Sequence, residues 1–330
     1  MPKDCRSNPG LVPDAGWRKT VFFTSLLIAG ASSGNIRKMS LFVQFLLDAI
    51  LLGGLYALMT VGLALGLGVT RIINFAHGEF IMFGAYATFF GAGALAIDPI
   101  IALPFVAVLI AVGGAGIFKL VARRALAAPR INQILLMFGI SLILQNLAVL
   151  MFTGDARSVI TSYSMGATDI ADVWLPHGRI VAFAMAVVLV IGLVVWLKRS
   201  ELGKATLAVA QNEKAATLMG INVNAVYLLA FGINAGLAGA TGVAVSFLLT
   251  ITPFMGFQML VKAFAIVILG GLGSIWGACI GAFVLAFAET AVAYYVPNGI
   301  GWAEGVAFLV LLAVLIIRPR GILGQQVETD

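Results

Sequence analysis

The chain has 330 residues, of which 61% are hydrophobic and 10% charged, with a formal net charge of +6. A soluble globular domain is nearer half apolar and a quarter charged, so there are too few polar side chains here to cover a water-facing surface. The positive balance does not point to nucleic acid either, because the lysines and arginines fall in short clusters between apolar blocks, where they set membrane orientation.

Residues 1–38 differ from all that follows. They hold six of the twenty basic residues (Lys3, Arg6, Arg18, Lys19, Arg37, Lys38), three prolines and a short apolar patch from Val21 to Ala29. That order fits a signal peptide. It fits equally an upstream extension with Met39 as the start. On either reading 1–38 is an N-terminal extension outside the fold, 39–324 the membrane domain and 325–330 a cytoplasmic tail.

From Leu41 the apolar blocks are 41–69, 72–97, 100–122, 131–152, 180–197, 225–250, 259–296 and 301–317. About 20 apolar residues are needed to cross the hydrocarbon core, and helices satisfy their own backbone hydrogen bonds there. Three blocks, 131–152, 180–197 and 225–250, contain no Asp, Glu, Lys or Arg. The block 259–296 is too long for one span and is interrupted at Gly270, Gly271 and Gly273, which predicts two shorter segments or a re-entrant hairpin. The expected fold is an all-α, polytopic transmembrane helix bundle of about 8 spans (8–10), at least one of them broken or re-entrant.

Lys119, Arg123, Arg124 and Arg130 form one basic cluster, Lys198, Arg199, Lys204 and Lys214 a second, and Arg318 and Arg320 a third. All three are expected in the cytoplasm. The connection 153–179, with Asp155, Asp169 and Asp172 against Arg157 and Arg179, is expected outside. The N-terminal third does not close: Arg37 and Lys38 suggest a cytoplasmic start, yet three simple crossings would then leave 119–130 outside. Either one early block is broken or the start is external.

Three groups of residues stand out chemically. Asn74, His77, Gly78 and Glu79 put polar and ionisable groups at the head of an apolar stretch. Two readings are open: a polar, unwound element lining a solute path, because charge at membrane depth normally faces a bundle interior or an aqueous cavity, or a helix end whose Arg71 and Glu79 reach water. His77 and Glu79 have no third ligand near in sequence, since His177 lies in the outer connection, so no metal site is expected. The second group is the cytoplasmic stretch 198–224, where Glu213, Ala215, Ala216 and Gly220 describe a compact small-residue helix with a glycine stop. It reads as a solvated loop helix or as one docking into a partner's groove. The third is the set of ionisable residues inside apolar blocks, Asp48, Lys262, Glu289 and Glu304. Lys262 and Glu289 form a candidate intramembrane pair. Cys5 and Cys279 are too differently placed to pair, and no phosphate-binding loop, nucleophile or catalytic constellation is present. The chain is therefore expected to be no enzyme and to hold no cofactor; if ATP powers it, another chain binds the ATP.

Several separated runs carry a resemblance. RIINFAHGEFIMFGAY (71–86), VKAFAIVILGGLGSIWGACIGAFVLAFAE (261–289) and RPRGILG (318–324) resemble the inner-membrane permeases of branched-chain amino acid ABC importers, the LivH type. EKAATLMGIN (213–222) is similar to that family's cytoplasmic coupling loop. The resemblance spans about 39–324. It implies a multi-pass subunit of the inner membrane that works with a second related permease, two cytoplasmic ATP-binding subunits and an extracytoplasmic solute-binding protein delivering leucine, isoleucine or valine. It makes Glu213, Ala215, Ala216 and Gly220 an ATPase-docking helix, and Asn74, His77, Gly78 and Glu79 signature positions of the path. Rival readings are the same machinery for urea, short amides or another amino acid, a stand-alone secondary transporter or channel coupled through Glu79, Lys262 or Glu289, and a non-transporting scaffold.

Overall fold

The structure is a computed structural model that describes residues 15–126, 128–170, 172–318 and 321–324, with side chains described from residue 39 onward except 300 and 304. The tail 325–330, Glu304 and the side chains of the 1–38 extension lie outside the described residues.

In chain order the elements are α1 (Ala15–Thr70), α2 (His77–Leu95), α3 (Pro99–Leu120), a 3-10 turn (Ala122–Ala125) and α4 (Arg130–Phe152). Next come α5 (Ser162–Met165), the strands β1 (Ala167–Ile170) and β2 (Val173–Pro176), α6 (His177–Arg199), α7 (Glu201–Gln211) and α8 (Glu213–Leu218). The chain closes with α9 (Val223–Leu248), α10 (Met255–Gly270), α11 (Ile275–Tyr295) and α12 (Gly299–Ile317). Among the described residues six helices are long and apolar enough to cross a membrane: residues Met39–Thr70 of α1, then α3, α4, α6, α9 and α11. The shorter α10 and the α12 stretch Gly301–Ile317 are also apolar. The fold is an all-α polytopic bundle.

Caps account for several boundaries. Asp98 accepts from the Ile100 amide at 2.8 Å and is followed by Pro99, a good first residue for a helix, so α3 starts there. Ser274 caps α11 through the Gly277 amide at 3.0 Å. Thr161 and Ser164 form a capping box on α5, and β1 pairs antiparallel with β2 to make a small hairpin.

Small residues let the helices approach closely, as in other bundles where lipid supplies no hydrophobic drive between helices. α9 is the central helix. Its Gly236 fits against Ala107 and Ala111 of α3, its Gly239 against Ile110, and its Gly242 against Ile81 and Ala85 of α2. By contrast α3 exposes Ile101, Phe105, Val108 and Val112, and α4 exposes Leu135, Ile143 and Leu150, as lipid-facing surfaces do.

Contacts between ends fix the path. Gln44 near the start of the α1 span donates to the Trp174 carbonyl at 2.8 Å and accepts from its amide at 2.7 Å, and Asp48 pairs with Arg179 at 2.7 Å. The Tyr294 hydroxyl at the end of α11 donates to Asp48, and Tyr163 donates to Asp98 at 3.2 Å. The turn after α9 joins the same side through Arg157 and Ile251. All these residues share the 153–179 end. At the other end Gly68 meets Gly273, and the tail residue Ile322 donates to the Leu269 carbonyl at 2.9 Å. That end carries Arg71, Lys119, Arg123, Arg130, Lys198, Arg199 and Arg318, so it is the cytoplasmic one.

Among the described residues the six candidate spans, the shorter α10 and α12 and the helix α2 alternate in direction between these two ends: α1, α3, α6, α10 and α12 run inward, α2, α4, α9 and α11 outward. The residues around Met39 are external, which removes the parity conflict without any early helix failing to cross. The block 259–296 divides at its glycines into two helices of opposite direction, α10 and α11, the first of the two outcomes the sequence offered.

Candidate functional site

α1 stops at Arg71, whose amide still closes the helix on Leu67 at 3.0 Å while its φ of 56° turns the chain away. Residues 72–76 run back into the bundle without helical bonds. The Asn74 side chain then accepts from the Ala76 amide at 3.0 Å and its carbonyl from the His77 amide at 3.3 Å, a tight turn that launches α2. The His77 ring donates from Nε2 to the carbonyl of Met59 at 2.8 Å. Met59 lies about three turns before the end of α1, so α2 starts well inside the bilayer. The first outward crossing is thus part extended chain and part helix. Irregular backbone at this depth requires shelter by protein, and Ile72, Asn74 and Ala76 are all buried.

Burial separates the two readings of this segment. Arg71 is exposed and reaches water, but His77 and Glu79 keep 0% and 1% of their surface. Glu79 Oε1 accepts from the Ser141 hydroxyl of α4 at 3.0 Å, and its Oε2 sits in the space left by the missing side chain of Gly256, where a Cβ would lie 2.6 Å away. Gly78 packs directly on the backbone of Gly256, and a methyl group there would overlap that carbonyl. Asn74 Nδ2, His77 Nδ1, Glu79 Oε2 and both side-chain polar atoms of Asn234 are buried without a hydrogen-bond partner. Asn234 on α9 lies beside Gly66 of α1 and within reach of the His77 ring, a neighbour the sequence did not flag. These polar side chains gather at the start of α2, where α1, α4, α9 and α10 meet.

Lys262 and Glu289 come together. Lys262 Nζ lies 3.4 Å from Glu289 Oε1 and 3.0 Å from the Tyr56 hydroxyl, which itself donates to Glu289 Oε2 at 2.6 Å. The three side chains join α10, α11 and α1. Lys262 keeps 24% side-chain exposure and Glu289 6%. Removing one partner of a buried pair strands the other charge. Lys262→Met is expected to destabilise the fold by about 2–3 kcal/mol, reduced from the fully buried case by the exposure of the lysine. Thermal unfolding in detergent checks this, with the Lys262→Met/Glu289→Gln double variant recovering part of the loss. Asp48, isolated in the sequence, finds Arg179, Gln44 and Tyr294 at the outer end of the bundle.

The glycine break has a defined geometry. Gly271 and Gly273 adopt φ of 109° and 80°, open to glycine and strained for other residues. Gly270 packs on Gly277 backbone to backbone. The tail run 321–324 docks here as well: the amides of Ile322 and Leu323 donate to the carbonyls of Leu269 and Gly270, each at 2.9 Å. These are end-of-helix carbonyls that α10 cannot satisfy itself. The tail motif is therefore the cap of α10, a role its sequence did not reveal.

On the cytoplasmic side Asn212 caps α8 by accepting from the Ala215 amide at 2.9 Å. Gly220, at φ 81°, closes the helix in a Schellman motif, with Ile221 donating to Ala216 at 3.1 Å and Gly220 to Thr217 at 3.0 Å. Glu213, Ala215 and Gly220 are exposed, but Ala216 is 4% exposed and faces the chain's own interior. What α8 presents outward is Leu218 at 88% and Met219 at 82%, residues the small-side-chain reading passed over. The Glu213 carboxylate lies beside the Tyr227 hydroxyl of α9, with Arg71 close enough to act on the same hydroxyl.

A family model described as the permease component of branched-chain amino acid transport systems matches residues 45–315. The chain is 32% identical over 297 residues to the high-affinity branched-chain amino acid transport system permease protein BraD of Pseudomonas aeruginosa, covering 86% of this chain and 96% of that one. It is 31% identical over 299 residues to LivH of Escherichia coli, with the same coverage of 86% and 96%. A probable LivH of Methanocaldococcus jannaschii is 28% identical over 292 residues, covering 84% and 90%. With the matched region running from α1 into α12, the chain belongs to the branched-chain amino acid transport system permease family.

Proposed function

We propose that this chain is the membrane-spanning permease subunit of an ATP-binding-cassette importer of the inner membrane that carries leucine, isoleucine and valine inward. In this reading a second related permease completes the translocation path, two cytoplasmic subunits bind and hydrolyse ATP, and an extracytoplasmic binding protein delivers the solute. The observation that carries it is the match to this permease family over residues 45–315, in a bundle that buries Asn74, His77 and Glu79 and exposes a capped helix, α8, on the cytoplasmic face.

α8 is the surface on which an ATPase subunit bears. Leu218 and Met219 supply apolar anchors, while Ala216 holds α8 against the rest of the chain. Ile221 and Gly220 close α8 directly before α9, so displacement of α8 acts on the start of that central helix. Closure of the ATPase dimer on ATP would in this way bias the permease pair between outward- and inward-open arrangements. Asn74, His77, Gly78 and Glu79 are the part of the path that changes environment between them. Selectivity rests mainly with the binding protein.

The test is reconstitution in liposomes with the cognate permease, ATPases and binding protein. ATP-dependent uptake of labelled leucine is expected, with urea and short amides left outside. Uptake by this chain alone, driven by an ion gradient and independent of ATP, would overturn the reading in favour of a secondary transporter.

A further inference from the structure

A recess of about 250 Å³ opens on the cytoplasmic face between the end of α3 and the start of α9. Its floor is apolar, made by the buried Phe118 and by Leu228, and its rim carries Lys119, Arg123, Asn222 and Asn224. No acidic side chain lines it, and among the described residues neither Lys119 nor Arg123 has an acidic partner. We propose that this recess binds the phosphate headgroup of an anionic phospholipid.

The position of the cations along α3 favours lipid as the occupant. Ile101, Phe105, Val108 and Val112 form one stripe of α3, each 63% to 71% exposed. Lys119 lies seven residues beyond Val112, two turns on at nearly the same helical angle, and Arg123 stands in the 3-10 turn just past the end of α3. Lys119 therefore ends a lipid-facing stripe at the level of the cytoplasmic interface, and Arg123 joins it at the rim of the recess. An acyl chain lying along that stripe brings its phosphate to Lys119 and Arg123, with the Asn224 amide at hand to complete the contacts. Basic pockets between transmembrane helices on this side hold anionic headgroups by the same combination of charge and depth. The start of α9, whose first turn forms one wall, adds the partial positive charge of a helix N-terminus.

The experiment reads lipid retention rather than transport, so its failure would leave the importer reading standing. The full chain is purified in mild detergent, mixed with phosphatidylglycerol or phosphatidylcholine, and retained lipid is measured by native mass spectrometry. Wild type is expected to retain phosphatidylglycerol in preference to phosphatidylcholine. The Lys119→Ala/Arg123→Ala variant should lose that preference by about thirtyfold, from two basic contacts. Lys119→Arg/Arg123→Lys should keep it, as should Lys198→Ala/Arg199→Ala, which removes the same charge elsewhere on that face. Equal retention of both lipids, or equal loss in the Lys198/Arg199 variant, would overturn the proposal. So would displacement of the lipid by inorganic phosphate alone, which would make the recess a free-anion site. An unchanged lipid preference in the Lys119→Ala/Arg123→Ala variant would overturn it as well.

Discussion

Gly78→Ala is expected to cost about 3 kcal/mol or more and to leave little folded permease. The missing side chain of Gly78 is where the backbone of α2 touches that of α10: an added methyl group would overlap the Gly256 carbonyl, and further space is taken by Leu260 at 2.9 Å. Neither obstacle is the free end of a flexible side chain, so relief requires a helix to shift, and overpacking of that kind commonly costs 1–3 kcal/mol and at times more. The shift would also carry the buried Glu79 away from Ser141, stranding a carboxyl group in an apolar interior. Thermal unfolding in detergent measures the effect. Gly91→Ala in the same helix is the control, because nothing lies within 4 Å of its position, and it should unfold at or slightly above the wild-type temperature. Equal behaviour of the two variants would show that the α2–α10 contact is not needed.

The second large effect is expected at the outward face of α8. Replacing both Leu218 and Met219 by aspartate should lower ATP-dependent uptake at least tenfold, the loss of about 1.4 kcal/mol or more that apolar anchors at an interface commonly supply. Insertion and thermal stability should remain as in wild type, because both side chains point into solvent. Ala216→Asp is expected to behave differently. It buries a charge under α8 and should reduce both stability and uptake. Measuring uptake, ATPase co-purification and unfolding temperature on the three proteins separates docking from folding. Normal uptake by the Leu218/Met219 variant would remove α8 as the docking surface.

Much of the bundle was legible in the apolar blocks, because a lipid-crossing helix needs a length and composition that little else imitates. The end of α10 at Gly270 and the start of α11 at Ile275 coincide with the glycine interruption, since left-handed backbone at Gly271 and Gly273 needs residues without a Cβ. The start of α2 was less legible. Composition put a helix from residue 72, whereas the Asn74 turn delays it to His77, and the depth of that turn depends on its bond to Met59 in another helix. The side of the α1 start was also hidden. Arg37 and Lys38 argued for the cytoplasm, but Gln44 and Asp48 are tied to Trp174 and Arg179, more than a hundred residues away. Pairing of Lys262 with Glu289 follows from two opposite charges placed in adjoining helices, while the part of Tyr56 could not be read from spacing. Within α8, size alone suggested Ala216 as a contact residue, but only the helix's seating on its neighbours tells the inward face from the outward one.

The docking of residues 321–324 onto α10 has a consequence for biogenesis. A nascent chain emerges from its N-terminal end, so α10 and α11 enter the membrane before the residues that cap α10 have been made. Until then the carbonyls of Leu269 and Gly270 and the open turn at Gly271 have no partner from the tail. Residues 321–324 thus act as a closing clasp, and the inner end of the bundle is complete only once they have left the ribosome. A chain released early, after α12 but before Gly321, would hold every membrane-crossing helix and still carry an unfinished inner end.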